Sequence, residues 1–233
     1  MWKVEEKMLS LRNEAQAANL SRFFKTGKGE YGEGDNFLGI KVPQTRQVVK
    51  ESWNDCSLEE LEHLVMCEWH EIRLCGLLIL VEKFKNVKEE ERARYIKFYL
   101  GHTEYINNWD LVDLSCYELL GRWLMDKDRA LLYDLAVNGK TLWEKRIAMV
   151  TCMQFVRHGD YDDCLEIANI LTDDKRDLIQ KAIGWLLREV GKRDMNLLRK
   201  FIEEHYDKMG RTALRYAIEK MDETERKRWL NYR

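Results

Sequence analysis

The chain has 233 residues, of which 45% are hydrophobic and 34% charged, so its composition is that of an ordered protein and excludes a disordered one. It contains a single proline, Pro43, and its glycines concentrate between residues 27 and 39. The net charge of −2 conceals an asymmetry, because residues 175–233 carry +6 and residues 1–174 carry −8. A basic C-terminal third is compatible with binding a polyanion and equally with an ordinary solvated helical surface.

Several protein classes can be set aside from local patterns. The longest apolar run, residues 74–81, is too short to cross a membrane, and the first ten residues lack the apolar core of a signal peptide. The six cysteines form no CxxC pair, and the five histidines lack metal-ligand spacing. The glycine-rich segment GKGEYGEG lacks the lysine and hydroxyl residue that end a phosphate-binding loop. These features predict a cytoplasmic protein with reduced, buried thiols and with no metal or organic cofactor.

Apolar residues recur at helical spacing along nearly the whole chain, which predicts an all-α fold. An amphipathic segment over about residues 2–24 leads into KTGKGEYGEGDNFLG, which we interpret as a mobile turn around residues 26–36. A helix then starts near Pro43, where the missing N–H is tolerated. Further helices are predicted at 57–67, 69–84, 88–100, 109–125, 128–138, 142–158, 160–171, 176–192, 194–207, 211–220 and 222–230.

These helices contain an internal repeat. The segments WHEIRLCGLLIL, WDLVDLSCYELL, LWEKRIAMVTCM and DLIQKAIGWLLR align without gaps, and a second predicted helix follows each of them. Their fifth positions are separated by 40, 33 and 35 residues and hold Arg73, Asp113, Arg146 and Lys181. Such periods are typical of two-helix solenoid units, which stack into one continuous concave surface. The sequence therefore predicts an α-solenoid that occupies residues 1–233 as a single domain.

The stretch NNWDLVDL places Asp113 four residues after Trp109, so the carboxylate and the indole share one face of a helix. Two interpretations of the polar fifth position remain open. It could form a ladder of ion pairs between repeats, which would include Arg73 and an Asp113–Arg146 pair. Alternatively, a carboxylate flanked by cations could hold a polyanion and direct one acid at it.

The motifs FLGIKVPQTR, NNWDLVDL, LWEKRIAM and IQKAIGWLLRE, in this order and spacing, resemble the AlkD family of DNA alkylation repair enzymes over about residues 20–220. The resemblance implies a right-handed superhelix of HEAT-like repeats that binds duplex DNA in its concave groove as a monomer. It also implies a monofunctional DNA glycosylase that removes cationic N3- and N7-alkylated purines, such as 3-methyladenine and 7-methylguanine. Unlike most glycosylases, such an enzyme would not flip the base out of the duplex.

The resemblance also assigns roles to individual residues. Asp113 would stabilise the cation that develops on the deoxyribose and position the attacking water. Trp109 would pack against the backbone of the lesion, and Arg146 would hold the adjacent phosphate. The further DNA-binding positions that it implies are Trp185, Lys181, Arg188, Lys41 and Arg46.

Each of these assignments has an ordinary structural alternative. The two tryptophans could be core residues, and the lysines and arginines could be solvated surface charges. Near Phe23 and Phe24 some family members carry a tyrosine that faces the DNA, and phenylalanine cannot donate that hydrogen bond. At the level of the whole chain, the alternative is a catalytically inactive DNA-binding or protein-scaffold module, since a solenoid fold does not by itself determine function.

Overall fold

The computed structural model describes residues 2–232, and α-helices dominate the fold within them. Asn36 and Trp69 form an isolated parallel bridge. The backbone also makes a 3₁₀ turn at Thr103–Tyr105 and a π-helical turn at Tyr117–Gly121. The helices are α1 (Lys3–Ser10), α2 (Glu14–Phe23), α3 (Val42–Ser52), α4 (Leu58–Val65), α5 (His70–Asn86), α6 (Glu89–Gly101), α7 (Trp109–Asp113), α8 (Ala130–Asn138), α9 (Leu142–Thr151), α10 (Met153–Arg157), α11 (Asp162–Leu171), α12 (Asp177–Gly191), α13 (Met195–His205), α14 (Arg211–Ala217) and α15 (Glu223–Leu230).

The chain is divided into two compact units, residues 1–115 and residues 116–233. In the first unit, α5 packs against α3, α4 and α6. In the second unit, α9 packs against α8 and α12, and α12 packs against α11, α13 and α14. Each unit is therefore a succession of neighbouring helices, as in helical-repeat proteins. The prediction of one domain over residues 1–233 stays a prediction.

Each of the four aligned sequence segments begins a helix, as predicted. Helix α5 begins at His70, α7 at Trp109, α9 at Leu142 and α12 at Asp177. The apolar run at residues 74–81 lies in α5 and is buried throughout. None of the helices within residues 2–232 is long and apolar enough to span a bilayer.

The amphipathic segment predicted over residues 2–24 forms two helices, α1 and α2. Asn13 interrupts the helix and caps α2, since its side-chain oxygen accepts the N–H of Gln16 at 3.0 Å. The N–H of Asn13 also donates to the carbonyl of Leu38 at 2.8 Å. A capping residue and a long-range hydrogen bond therefore end α1 and start α2.

The predicted helix over residues 109–125 is also broken, since α7 ends at Asp113 and a π-helical turn follows. Ser115 lies at the break, where its hydroxyl oxygen is 2.5 Å from the carbonyl oxygen of Leu111 and 3.1 Å from the Tyr99 hydroxyl. A serine that bonds back to the carbonyl four residues earlier bends helices. The short helix α7, which carries both Trp109 and Asp113, thus has a defined end.

Candidate active site

Helix α7 carries Trp109 at its first position and Asp113 at its last, and both side chains are half-buried. Asn108 precedes the helix, and its side-chain oxygen accepts the N–H of Trp109 at 2.9 Å. The indole stacks on the ring of Phe24 at a centroid distance of 5.2 Å and an interplanar angle of 21°. Phe23, which is 63% exposed, contacts the same indole edge-on at 6.0 Å. The orientation of Trp109 is therefore fixed by aromatic neighbours on α2 and at its end.

The aromatic stack continues away from Trp109 into the interior of the first unit. Phe24 stacks on Phe37 at 5.0 Å, and Phe37 stacks on the imidazole of His70 at 4.4 Å. His70 is the first residue of α5, and its side chain is 1% exposed. The stack therefore joins α7 to the start of the most deeply buried helix of this unit.

A buried charge network, defined here as Asp35, His70, Arg73 and Asp110, lies beside this stack. The Nδ1 atom of His70 is 2.7 Å from Asp35, and its Nε2 atom is 2.9 Å from Asp110. Arg73 donates to the second oxygen of Asp35 at 2.5 Å. Asp35 and Asp110 contact different nitrogens of the imidazole, so their carboxylates do not converge on one metal position. Within residues 2–232 no group of three or more His, Cys, Asp or Glu side chains is arranged to hold a metal ion.

The network shifts the ionisation of two of its members. Burial opposes the charge on His70, but the charges and hydrogen bonds of Asp110 and Asp35 outweigh it and raise the pKa of His70 to about 9. Burial likewise opposes the charge on Asp35, and its contacts with His70 and Arg73 outweigh that effect, so the pKa of Asp35 lies below its ordinary value. Near neutral pH the network therefore contains opposite charges that neutralise one another.

Sequence reasoning does not find this network, in which Asp35 lies at the end of the glycine-rich loop. The segment that we interpreted as a mobile turn is anchored at its C-terminal end. Glu71 of α5 accepts the backbone N–H groups of three residues that follow the loop, Leu38, Gly39 and Ile40, at 2.8, 2.8 and 3.0 Å. The one signal in the sequence is the pair of charged clusters, GEGD and WHEIR, each next to a buried apolar segment.

One interpretation of the sequence placed Arg73 in a ladder of ion pairs between repeats. In the structure, Arg73 binds the glycine-rich loop through Asp35 and also binds residues just before its own helix. Besides Asp35, its guanidinium donates to the carbonyls of Cys67 and Glu68 at 2.8 and 3.0 Å and to the side chain of Asn107 at 3.0 Å. These contacts connect α5 to the segment that enters α7. The fifth position of the first repeat thus has a local structural role.

The two cations predicted to bind DNA near the N-terminus, Lys41 and Arg46, are both exposed on the first unit. Lys41 is the residue before α3, and its backbone N–H donates to the side chain of Gln44 at 3.1 Å. Arg46 lies within α3. Their role in binding DNA stays a prediction.

In the second unit, Arg146 lies on α9 and is only 5% exposed. Its guanidinium donates from Nη1 to the carbonyl of Leu178 at 2.5 Å, near the start of α12. Helix α9 itself begins at a capping box in which the Thr141 hydroxyl accepts the N–H of Glu144 at 3.1 Å. Arg146 therefore ties α9 to α12, and its predicted contact with a phosphate stays a prediction.

The remaining predicted residues line one face of α12. Lys181, Trp185 and Arg188 follow one another at helical spacing, and all three are half-buried. Lys181 pairs with Asp177 at 2.8 Å, and Arg188 pairs with Glu219. The other faces of α12 are buried against neighbouring helices of the same unit. This face combines an indole with cations, which is a composition suited to a nucleic-acid backbone.

Comparison with known proteins agrees with the resemblance noted in the sequence. The profile of a family described as DNA alkylation repair enzyme matches residues 4–221. A solved structure of a predicted DNA alkylation repair enzyme from Enterococcus faecalis is similar to this chain, with a TM-score of 0.69 and 19% sequence identity. The match covers 91% of this chain and 97% of that one, and it confirms the all-α solenoid fold. No curated protein matches the sequence.

Proposed function

Since the chain belongs to the DNA alkylation repair enzyme family, we propose that it is a monofunctional DNA glycosylase. It hydrolyses the N-glycosidic bond of cationic N3- and N7-alkylated purines, such as 3-methyladenine and 7-methylguanine, in duplex DNA. The observation that carries this proposal is the construction of α7, which holds a stacked indole and a carboxylate one helical turn apart. The proposed reaction needs no metal or organic cofactor, because the positive charge on the alkylated purine already makes the base a good leaving group.

The chemistry requires little from the protein. An N3- or N7-alkylated purine already carries a positive charge, so the bond to C1′ of the sugar can break without protonation of the base. The bonding electron pair leaves with the base and neutralises it, while positive charge develops on the deoxyribose. The carboxylate of Asp113 stabilises that charge electrostatically. A water molecule then adds to C1′ and loses a proton, and an abasic site remains.

Trp109 provides a surface for the lesion, and no enclosed pocket is needed. Its indole is held by Phe24 and Phe23, at the start of the short helix that ends in Asp113. The π face of an indole stabilises a nearby cationic sugar or base by about 0.5–2 kcal/mol. A rigid indole and a carboxylate on the same helix suit a reaction in which the lesion stays in the duplex.

Affinity for the duplex comes from other positions in this proposal. Arg146 holds the phosphate next to the lesion, and Trp185 packs against the DNA backbone. Cations at Lys181 and Arg188 in the second unit, and at Lys41 and Arg46 in the first, bind flanking phosphates. Such contacts position a protein on DNA without reading its sequence.

The decisive experiment measures base release from a duplex that carries a single 7-methylguanine. We expect the wild type to release the base, and Asp113→Asn to lower the single-turnover rate by about 10²–10³-fold while leaving duplex affinity nearly unchanged. The matched control is Asp55→Asn, which removes the charge of an exposed aspartate in the same unit. It should release the base at the wild-type rate.

Three results would contradict parts of this proposal. Release by Asp113→Asn at the wild-type rate would remove Asp113 from the reaction. Binding of the duplex by the wild type without release would identify an inactive DNA-binding module. Neither binding nor release would favour a protein scaffold.

A further inference from the structure

The buried charge network lies directly behind the first turn of α7, although it has no role in the chemistry proposed above. Two of its contacts reach that turn. Asp110, the second residue of α7, faces Nε2 of His70, and Asn108, just before the helix, is 3.3 Å from Asp35. These two residues flank Trp109 in the sequence. The segment that carries the indole is therefore tied to the network on both sides.

The geometry also determines where the protons of the network lie. Both nitrogens of His70 are within hydrogen-bonding distance of carboxylate oxygens, so each contact needs a proton. Asp35 already accepts from Arg73, and the second oxygen of Asp110 accepts the N–H of Leu111 at 2.9 Å. With the carboxylates acting as acceptors, both protons belong to the imidazole. His70 is thus an imidazolium between two carboxylates.

Stability alone does not explain such an arrangement. Buried ion pairs are often no more stabilising than apolar side chains of similar volume, because desolvation offsets their attraction. What distinguishes them from apolar contacts is that their hydrogen bonds are directional, so each bond fixes the position of the residue to which it connects. Here the partners belong to three segments: the loop that carries Asp35, the start of α5 at His70, and the start of α7 at Asp110. The rings of Phe37 and Phe24 connect the same imidazole to Trp109.

We propose that His70 is a positioning residue of the glycosylase. By bridging Asp35 and Asp110, its imidazolium holds α7 in the orientation in which Trp109 and Asp113 meet the substrate. This inference rests on the proposed function. A displacement of about 1 Å in a reacting group can lower a rate by about 10²-fold, so a loosened α7 affects the reaction more strongly than the binding of DNA.

Two variants and one control test this role. His70→Phe keeps a ring in the stack and removes both hydrogen bonds, whereas Asp110→Asn keeps a hydrogen-bonding side chain and removes one charge. The control, His102→Phe, alters another stacked histidine of the first unit, whose Nδ1 contacts the carbonyl of Phe98 at 2.7 Å. Each protein is assayed well below its unfolding temperature, with single-turnover release of 7-methylguanine and duplex affinity measured separately.

We expect the release rate at saturating enzyme to fall by about 10–100-fold in His70→Phe and by about tenfold in Asp110→Asn. Duplex affinity should change by no more than about twofold, and His102→Phe should behave as wild type. Release at the wild-type rate by folded His70→Phe and folded Asp110→Asn would overturn the proposal. Equal losses of rate and affinity would overturn it as well, since they indicate a general structural role.

A second readout does not depend on catalysis. In protein labelled with 5-fluorotryptophan, the ¹⁹F resonance of Trp109, identified by its absence in Trp109→Phe, should shift or broaden in both network variants and not in the control. An unchanged Trp109 resonance would overturn the positioning role. An inactive wild type would contradict the proposed glycosylase function, and the resonance would still decide whether His70 positions α7.

Discussion

At the scale of single residues, the surroundings of His70 alter its chemistry. An exposed histidine loses its proton near pH 6.5. Between Asp35 and Asp110, His70 has a pKa of about 9 and keeps its proton through neutral pH. Because the proton completes two buried hydrogen bonds, its loss would leave a carboxylate oxygen facing an unprotonated ring nitrogen. The protonation of His70 and the stability of the first unit are therefore linked.

This linkage predicts how stability depends on pH. The folded pKa of His70 is raised, so its contribution is complete below about pH 6.5 and is lost as pH rises towards about 9, by on the order of 3 kcal/mol. Urea unfolding at several pH values across this interval measures how the free energy of unfolding declines. Asp110→Asn should flatten the decline, whereas buried cysteines such as Cys56, whose pKa is raised by burial to about 12, contribute equally to both proteins. An identical decline in Asp110→Asn would contradict the linkage.

At the scale of elements, the contact between α12 and α14 depends on a glycine, which has no side chain to keep the two helices apart. Gly184 lies on α12 where that helix meets α14. A Cβ atom at this position would lie 2.4 Å from the backbone oxygen of Ala213 and 2.4 Å from the Cβ of Tyr216. Glycine therefore allows the backbones of the two helices to approach closely. The same segment of α12 carries Trp185 and Lys181 on its half-buried face.

Gly184→Ala should consequently destabilise the protein by about 2 kcal/mol or more, because α14 must move or its contact with α12 must open. Gly101→Ala is the matched control, since nothing lies within 4 Å of the Cβ that it would add to the last residue of α6. The control should be neutral or slightly stabilising, because alanine has the higher helix propensity. Urea unfolding of the two variants decides the matter, and equal stability of both would contradict the close packing of α12 and α14.

The elements also show how far periodicity predicts structure. The helix starts at His70, Trp109, Leu142 and Asp177 follow from the aligned segments. The breaks near Asn13 and Ser115 do not, because helical spacing of apolar residues continues across both. Asn13 ends a helix through a cap and a hydrogen bond to Leu38, and Ser115 does so through bonds to Leu111 and Tyr99. Of these signals only the capping asparagine is visible in a sequence, and it is weak.

At the scale of the whole molecule, the distribution of charge matters more than its sum. The chain carries −2 in total, and its C-terminal residues 175–233 carry +6. Binding to duplex DNA releases counterions, so affinity falls with salt in proportion to the number of phosphates neutralised. The proposed function therefore predicts binding that depends on a few cations, which include Arg146 and Lys181.

Arg146→Ala should weaken duplex binding and reduce the slope of log Kd against log salt concentration by about 0.9, the value for one phosphate. Because Arg146 is 5% exposed and binds the carbonyl of Leu178, the folded fraction of the variant is checked by circular dichroism. Lys181→Ala, on the half-buried face of α12, tests a second cation. Lys200→Ala, at an exposed lysine of α13, is the control and should leave the slope unchanged. An unchanged slope in Arg146→Ala would mean that Arg146 is structural.

The sequence by itself determined the helical class, the repeat, the starts of the four aligned helices and the family resemblance, because helical periodicity and short motifs are local properties of the chain. It also placed Trp109 and Asp113 on one helix. Only the tertiary structure decided what holds that helix. Asp35, His70 and Asp110 are separated by 35 and 40 residues along the chain, and no local pattern joins them. Their contact arises from burial, since a charge removed from water must find its partners wherever the fold brings them.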